Sequence, residues 1–189
     1  MNQYHIFKNI QKHISLTESE KEYLINSWDI KEVGKKDLLL RQGHACRKLC
    51  FVESGSLRTF NLNEDGKEST IMFAIQDWWV TDMNGFANQK PAVVSIEALE
   101  KSTIIEFDFL MLESLYVKIP KFERFFRILF QNAYIREQQR SFNNIALTTE
   151  QRYSYFIDKY PAIVEKITQK QIASYLGVTP EFLSSVKKK

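Results

Sequence analysis

Residues 168–189, TQKQIASYLGVTPEFLSSVKKK, hold side chains whose types and spacing suit contact with a DNA duplex. Counted from Gln169, the apolar residues Ile172, Leu176, Val178, Leu183 and Val186 fall where two crossed helices must share a small core. Ala173 sits where the second helix comes closest, and a larger side chain there would push the helices apart. Gly177 falls in the turn, where glycine takes a positive φ without steric cost. Thr168 with Gln171 forms a capping box for the first helix, and Thr179 is a natural N-cap for the second. The pattern predicts a helix-turn-helix. An unrelated hairpin with glycine in its turn needs neither the small Ala173 nor the capped Thr179.

If the second helix enters a major groove, Leu183 and Val186 point to the core. Thr179, Pro180, Glu181, Ser184, Ser185 and Lys188 are then left facing DNA. A carboxylate at Glu181 can accept from a cytosine amino group. Gln169, Lys170, Thr179 and the terminal Lys187, Lys188 and Lys189 are candidates for phosphate contacts, which position the module without specifying sequence. Residues 148–189 carry seven Lys/Arg against four acids, a surplus equal to the net +3 of the whole chain. The preceding 147 residues therefore balance, and a basic end on a neutral body suits a phosphate-facing module.

Other chemistries find no constellation. The cysteines are Cys46 and Cys50, two short of an iron–sulfur or structural zinc set, and they read as a buried or strand-edge thiol pair. His5 and His13 lie in the N-terminal stretch and His44 stands alone in a turn, so no clustered-histidine oxygenase site is expected. No phosphate loop, nucleophile motif or paired-carboxylate site is present, so the expectation is a non-enzyme with no cofactor and no metal. No run of about 18 apolar residues exists and the N-terminus lacks a signal pattern, so a soluble, cytoplasmic protein with no membrane partner is expected.

Three parts must position that motif. Residues 1–27 read as two short helices, with Thr17–Glu20 as a capping box and Tyr23, Leu24 and Trp28 on the inward face. From about Trp28 to Phe107, short apolar or alternating runs recur between turns at Gly34, Gly43, Gly55 and Gly66, which suggests an antiparallel sandwich or jelly roll. Glu64-Asp65-Gly66-Lys67 is the clearest hairpin. Asp108 can cap a short helix through Tyr116, and Pro120 suits the first turn of the next. With no Gly or Pro up to Leu147, that helix runs roughly 27 residues, near 40 Å. Phe122, Phe126, Leu129 and Ala133 step by four, three and four along it, a heptad spacing that predicts a dimer seam. Thr148 with Gln151 starts another helix that stops near Tyr160-Pro161, which puts the hinge near Leu147–Thr149. The expected domains are 1–119, 120–147 and 148–189.

This order of parts resembles the Crp/Fnr transcription regulators of bacteria. The resemblance rests on Gly34 before the Leu38–Leu40 strand, the Arg41-Gln42-Gly43 and Val52-Glu53-Ser54-Gly55 turns, the hairpin at Glu64–Glu68, Asp77 followed by an aromatic, and the motif at 168–186. It implies an α+β fold: an N-terminal antiparallel β jelly roll of the cyclic-nucleotide-binding type, a long dimerisation helix and a C-terminal helix-turn-helix domain. It also implies a homodimer on double-stranded DNA at an inverted repeat, with RNA polymerase as a further partner. Glu181 matches the Glu with which such regulators read cytosine, while Ser185 stands where an Arg is common, so a different recognised site is expected.

The cyclic-nucleotide cassette of such proteins carries a Gly-Glu pair and then an Arg-Ser or Arg-Thr pair, which would hold a buried phosphate. Here Thr81-Asp82 stands for the first and Pro91-Ala92 for the second, so control by cyclic AMP is not expected. The four-cysteine pattern of oxygen-sensing members is missing as well. What remains is a candidate pocket of Trp78, Trp79, Asp82, Met83 and Phe86 for an effector the sequence does not name. Only Lys187–Lys189 follow Val186, where many such regulators add a β-hairpin wing, so a compact DNA-binding domain is expected. The competing reading is a ligand-sensing or protein-interaction module whose helix-turn-helix does not act on DNA. Its binding would show little salt dependence, whereas DNA binding weakens steeply with salt.

Overall fold

The computed structural model describes residues 4–187. Two helices open the chain, α1 (His5–Gln11) and α2 (Glu18–Ile25), the second started by the full Thr17–Glu20 capping box. α1 is fastened to the strands behind it. The buried Glu53 carboxylate accepts from the amides of His5, at 2.5 Å, and Ile6, at 3.1 Å, so a side chain of the sandwich satisfies the open N-terminus of this helix.

Eight strands follow: β1 (Asp29–Val33), β2 (Leu38–Leu40), β3 (Lys48–Ser54), β4 (Ser56–Leu62), β5 (Glu68–Ile75), β6 (Trp79–Val80), β7 (Ser95–Ala98) and β8 (Ser102–Asp108). They pair antiparallel in two four-stranded sheets, β1-β8-β3-β6 and β2-β7-β4-β5. This is the jelly-roll arrangement predicted from the spacing of strands and turns. Alternation assigns the faces. Leu57, Ala74, Ile96 and Ala98 of the second sheet meet Val52 and Ile104 of the first inside the sandwich. Arg58, Phe73 and Glu97 then point to the opposite face, where Arg58 forms ion pairs with Glu68 at 2.7 Å and Glu97 at 2.8 Å.

β6 and a five-residue helix, α3 (Met83–Ala87), were not anticipated, since two strand residues show no alternation and five helical residues show no period. α4 (Phe109–Lys118), capped by Asp108, leads to the long helix α5 (Lys121–Ala146). α6 (Thr149–Lys159) carries the Thr148–Gln151 capping box. A short α7 (Pro161–Val164) fills what reads in the sequence as a plain link. α8 (Gln169–Leu176) and α9 (Pro180–Lys187) complete the described chain.

The helical end does not swing free of the sandwich. Phe73, fully buried on the outer face of β5, is in a cluster with Phe156, Tyr160, Ile172, Ala173 and Leu183. β5 is an edge strand, and its unpaired backbone groups are claimed by helices. The Ser174 hydroxyl on α8 donates to the Glu68 carbonyl and accepts from the Thr70 amide, both at 2.8 Å. Arg140 on α5 donates to the Ile71 carbonyl.

Candidate nucleic-acid interface and the cleft behind it

The helix-turn-helix forms from local signals that agree with one another. The Thr168 hydroxyl accepts from the Gln171 amide while the Gln171 side chain returns to the Thr168 amide, closing the box that starts α8. Gly177 ends α8 at φ 69°, a left-handed conformation open to glycine. Thr179 accepts from the Phe182 amide at 3.2 Å and so starts α9. Ala173 is fully buried between the helices, with Ile172, Leu176 and Leu183 around it. Arg152 of α6 holds the assembly from behind, donating to the Leu176 carbonyl at 2.8 Å.

The outward side of α9 carries the residues expected there. Thr179, Glu181 and Ser185 are exposed, and Pro180 and Ser184 are half-buried. Lys170 is exposed, and Gln169 donates from Nε2 to the Ser184 hydroxyl at 3.0 Å, which ties the start of α8 to α9. Lys187 closes α9, while Lys188 and Lys189 lie outside the described residues. Phe182 was missed: its ring is 50% exposed beside Glu181, and nothing in the helical period marks a flank position as exposed.

The seam assigned to the long helix requires correction. Phe122 and Phe126 are buried in the chain's own core, where Phe126 meets Trp79, Tyr116 and Phe125 ring to ring. Leu129 and Ala133 continue that inward stripe along the wall of a cleft. The exposed apolar side of α5 is a different one. Tyr134 at 65%, Ile145 at 88% and Phe130 at 39% exposure lie within about 60° of one another around the helix, with Ile135 and Phe142 flanking them.

The expected effector pocket also comes apart. Trp79 packs among Phe51, Phe107, Phe125 and Phe126, and Phe86 is buried against Phe109. Asp82 caps α3, accepting from the Gly85 amide at 3.1 Å and from the Val93 amide at 2.6 Å. An incoming phosphate would have to displace this buried carboxylate, itself an anion, to reach the same donors. Ala92 exchanges backbone hydrogen bonds with Gly43 and His44. Phe86 and Asp82 therefore line no open cavity. Met83, Trp78 and one side of Trp79 border a cleft of about 330 Å³ between β6, α5 and α6, which also takes in Arg136, Arg140, Lys159, Tyr160 and Tyr175. Arg136 and Arg140 sit one turn apart on α5, but Lys159 ends α6, Tyr160 follows it and Tyr175 lies on α8, so no sequence signal unites all five.

Cys46 and Cys50 are both buried and free. Cys46 faces Thr81 at 3.3 Å, while burial pushes the Cys50 thiol well above its ordinary range, which leaves no reactive thiolate there. No group of three or more metal-ligating side chains occurs among the described residues, and no described helix is long and apolar enough to cross a membrane.

The described chain is thus a jelly roll followed by a long helix and a helix-turn-helix. Residues 30–118 match the cyclic nucleotide-binding domain family. An anaerobic regulatory protein of Pasteurella multocida is 27% identical over 186 residues, covering 90% of this chain and 66% of the relative. The chain thus spans just under two thirds of that relative's length. Two solved structures share the fold. The c-di-GMP-responsive global regulator CLP of Xanthomonas campestris superposes with a TM-score of 0.75 at 14% identity, over 91% of this chain and 90% of that one. A regulator of the crp/fnr family from Eubacterium rectale gives 0.72 at 18% identity, over 92% and 82%. The chain is thus similar to regulators of the Crp/Fnr type in sequence, and shares their fold.

Proposed function

We propose that this protein is a sequence-specific DNA-binding transcription regulator that acts as a homodimer on an inverted repeat. The observation that carries the reading is the helix-turn-helix itself: α8 and α9 cross over a fully buried Ala173 while Glu181, Ser184 and Ser185 stay outward. Glu181 accepts from a base amino group, and Gln169, Lys170, Thr179 and Pro180 approach the backbone around it, with the lysines at 187–189 adding charge. Ser185 has no guanidinium fork, so a half-site without a guanine at the matching step is expected. Dimerisation through Phe130, Tyr134 and Ile145 would pair two such units about one DNA turn, near 34 Å, apart. Cyclic AMP is argued against because Pro91-Ala92 stands where an Arg-Ser or Arg-Thr pair would hold the phosphate, and the Asp82 carboxylate already holds the Gly85 and Val93 amides nearby.

The test is selection from a random duplex library by the purified protein with no added effector. The expected result is enrichment of an inverted repeat, with affinity that falls steeply between low and moderate salt. Binding of duplexes without sequence preference, or none at any salt, would overturn the reading and favour a module whose helix-turn-helix meets protein instead.

A further inference from the structure

The cleft behind the helix-turn-helix has an electrostatic character that the DNA-binding reading does not use. Arg136 and Arg140 stand one turn apart on α5, and Lys159 reaches the same space from the end of α6. Each is laid over an aromatic wall: Arg136 over Trp78 with its guanidinium carbon 4.9 Å from the ring centre, Arg140 over Tyr175 at 4.6 Å, and Lys159 over Tyr160 at 5.4 Å. These rings hold the cations in place without neutralising them. The carboxylates at hand do little more. Glu137 comes no closer than 3.9 Å to Arg140 and is largely solvated, and Asp77, at the far end of the cleft, faces Lys12 at 3.8 Å.

The three cations act on one another. The Lys159 ammonium is held below the ordinary lysine range, first by burial and then by the positive charge of Arg136, with Arg140 adding to it and Glu137 opposing. A cluster of like charges in a cleft of about 330 Å³ is a site that lacks its counter-charge.

We propose that this cleft binds a small, multiply charged oxyanion, a phosphate or polycarboxylate group, held between Arg136, Arg140 and Lys159. The Arg136 guanidinium fork, the Arg140 nitrogens left over from its bond to the Ile71 carbonyl, and the Lys159 ammonium match the donors an oxyanion needs. The volume accepts a group of several heavy atoms, and Trp78, Tyr160 and Tyr175 would flank whatever apolar body it carries. The site is distinct from the stretch around Asp82, which is closed to anions by its own carboxylate. An occupant would link α5, which packs on the sandwich, to α6, which carries the helix-turn-helix. It would therefore fix the position of one unit on the other. The inference stands whether or not the helix-turn-helix engages DNA.

The experiment is calorimetric titration of the full chain with inorganic pyrophosphate, without DNA, at an ionic strength held constant with sodium chloride. We expect one saturable event, weakened about tenfold or more by Lys159→Gln and by Arg136→Gln, because each removes a charge-assisted contact. Lys159→Arg, which keeps the charge, is expected to retain binding. Lys118→Gln, at the exposed end of α4 and outside the cleft lining, is expected to leave it unchanged. Heats no different from those of added chloride would overturn the proposal. So would wild-type affinity in both the Lys159 and Arg136 variants, or an equal loss in Lys118→Gln.

Discussion

Two buried side chains set most of what the helix-turn-helix and the sandwich permit. Ala173 touches the facing helix with no exposed surface, so Ala173→Arg must either bury a cation or part α8 from α9. The cost is about 3 kcal/mol in stability, and loss of DNA binding in a mobility-shift assay is expected. Unchanged affinity in that variant would mean the two helices are not used as a unit. Asp82 is the second. Asp82→Ala takes the acceptor from the buried Gly85 amide and from the part-buried Val93 amide, a loss of about 2 kcal/mol that should lower the thermal midpoint. Ala173 was legible in the sequence because the motif demands a small residue at that step. Asp82 was misassigned as a pocket residue because its N-cap role depends on a five-residue helix that carries no period of its own.

Among elements, the long helix shows how spacing can name a stripe without naming what covers it. The four-three-four step from Phe122 to Ala133 is present, but the sandwich and the cleft take up that face. Burial depends on neighbours far away in sequence, which a single helical period cannot report. The capping boxes at Thr17, Thr148 and Thr168 were all legible because donor and acceptor lie within one turn. Tyr134→Glu together with Ile145→Glu should convert a dimer to a monomer in sedimentation with little change in melting, since both side chains are exposed in the single chain. A dimer that persists would move the seam elsewhere. On α8, Ser174→Ala removes both hydroxyl bonds to β5, at a cost of about 1–2 kcal/mol. Hydrogen exchange at the Thr70 amide should accelerate, while exchange in β3 and β8 should not.

For the molecule as a whole, the sandwich and the helix-turn-helix share one aromatic cluster rather than meeting across a loose hinge. Tyr160 and Tyr175 belong to it, and burial raises the pKa of both above the ordinary tyrosine range, as it does for Tyr116 under α5. In the unfolded chain these phenols ionise near pH 10. Above that pH the unfolded state therefore binds fewer protons than the folded one, and stability falls as pH rises. Below it, the tyrosines leave stability unchanged with pH. Tyr160→Phe should flatten the alkaline limb of a melting-temperature profile, and an unaltered limb would show that Tyr160 ionises freely in the fold. The sandwich-then-helix order was legible from turn chemistry and periodicity. The shared cluster was not, because Phe73 is an ordinary strand residue until α6 and α8 cover it.

The claimed edge of β5 bears on how the chain can be divided. A protein cut after Leu147 keeps every strand of both sheets but loses Ser174, and with α6 and α8 gone Phe73 is stripped of its cover. Arg140 still covers the Ile71 carbonyl, but the Glu68 and Thr70 backbone groups lie open next to an uncovered aromatic, which is the template on which strands of neighbouring molecules add. The sandwich on its own should thus stick to itself in concentrated solution, and the helix-turn-helix serves it as an edge guard.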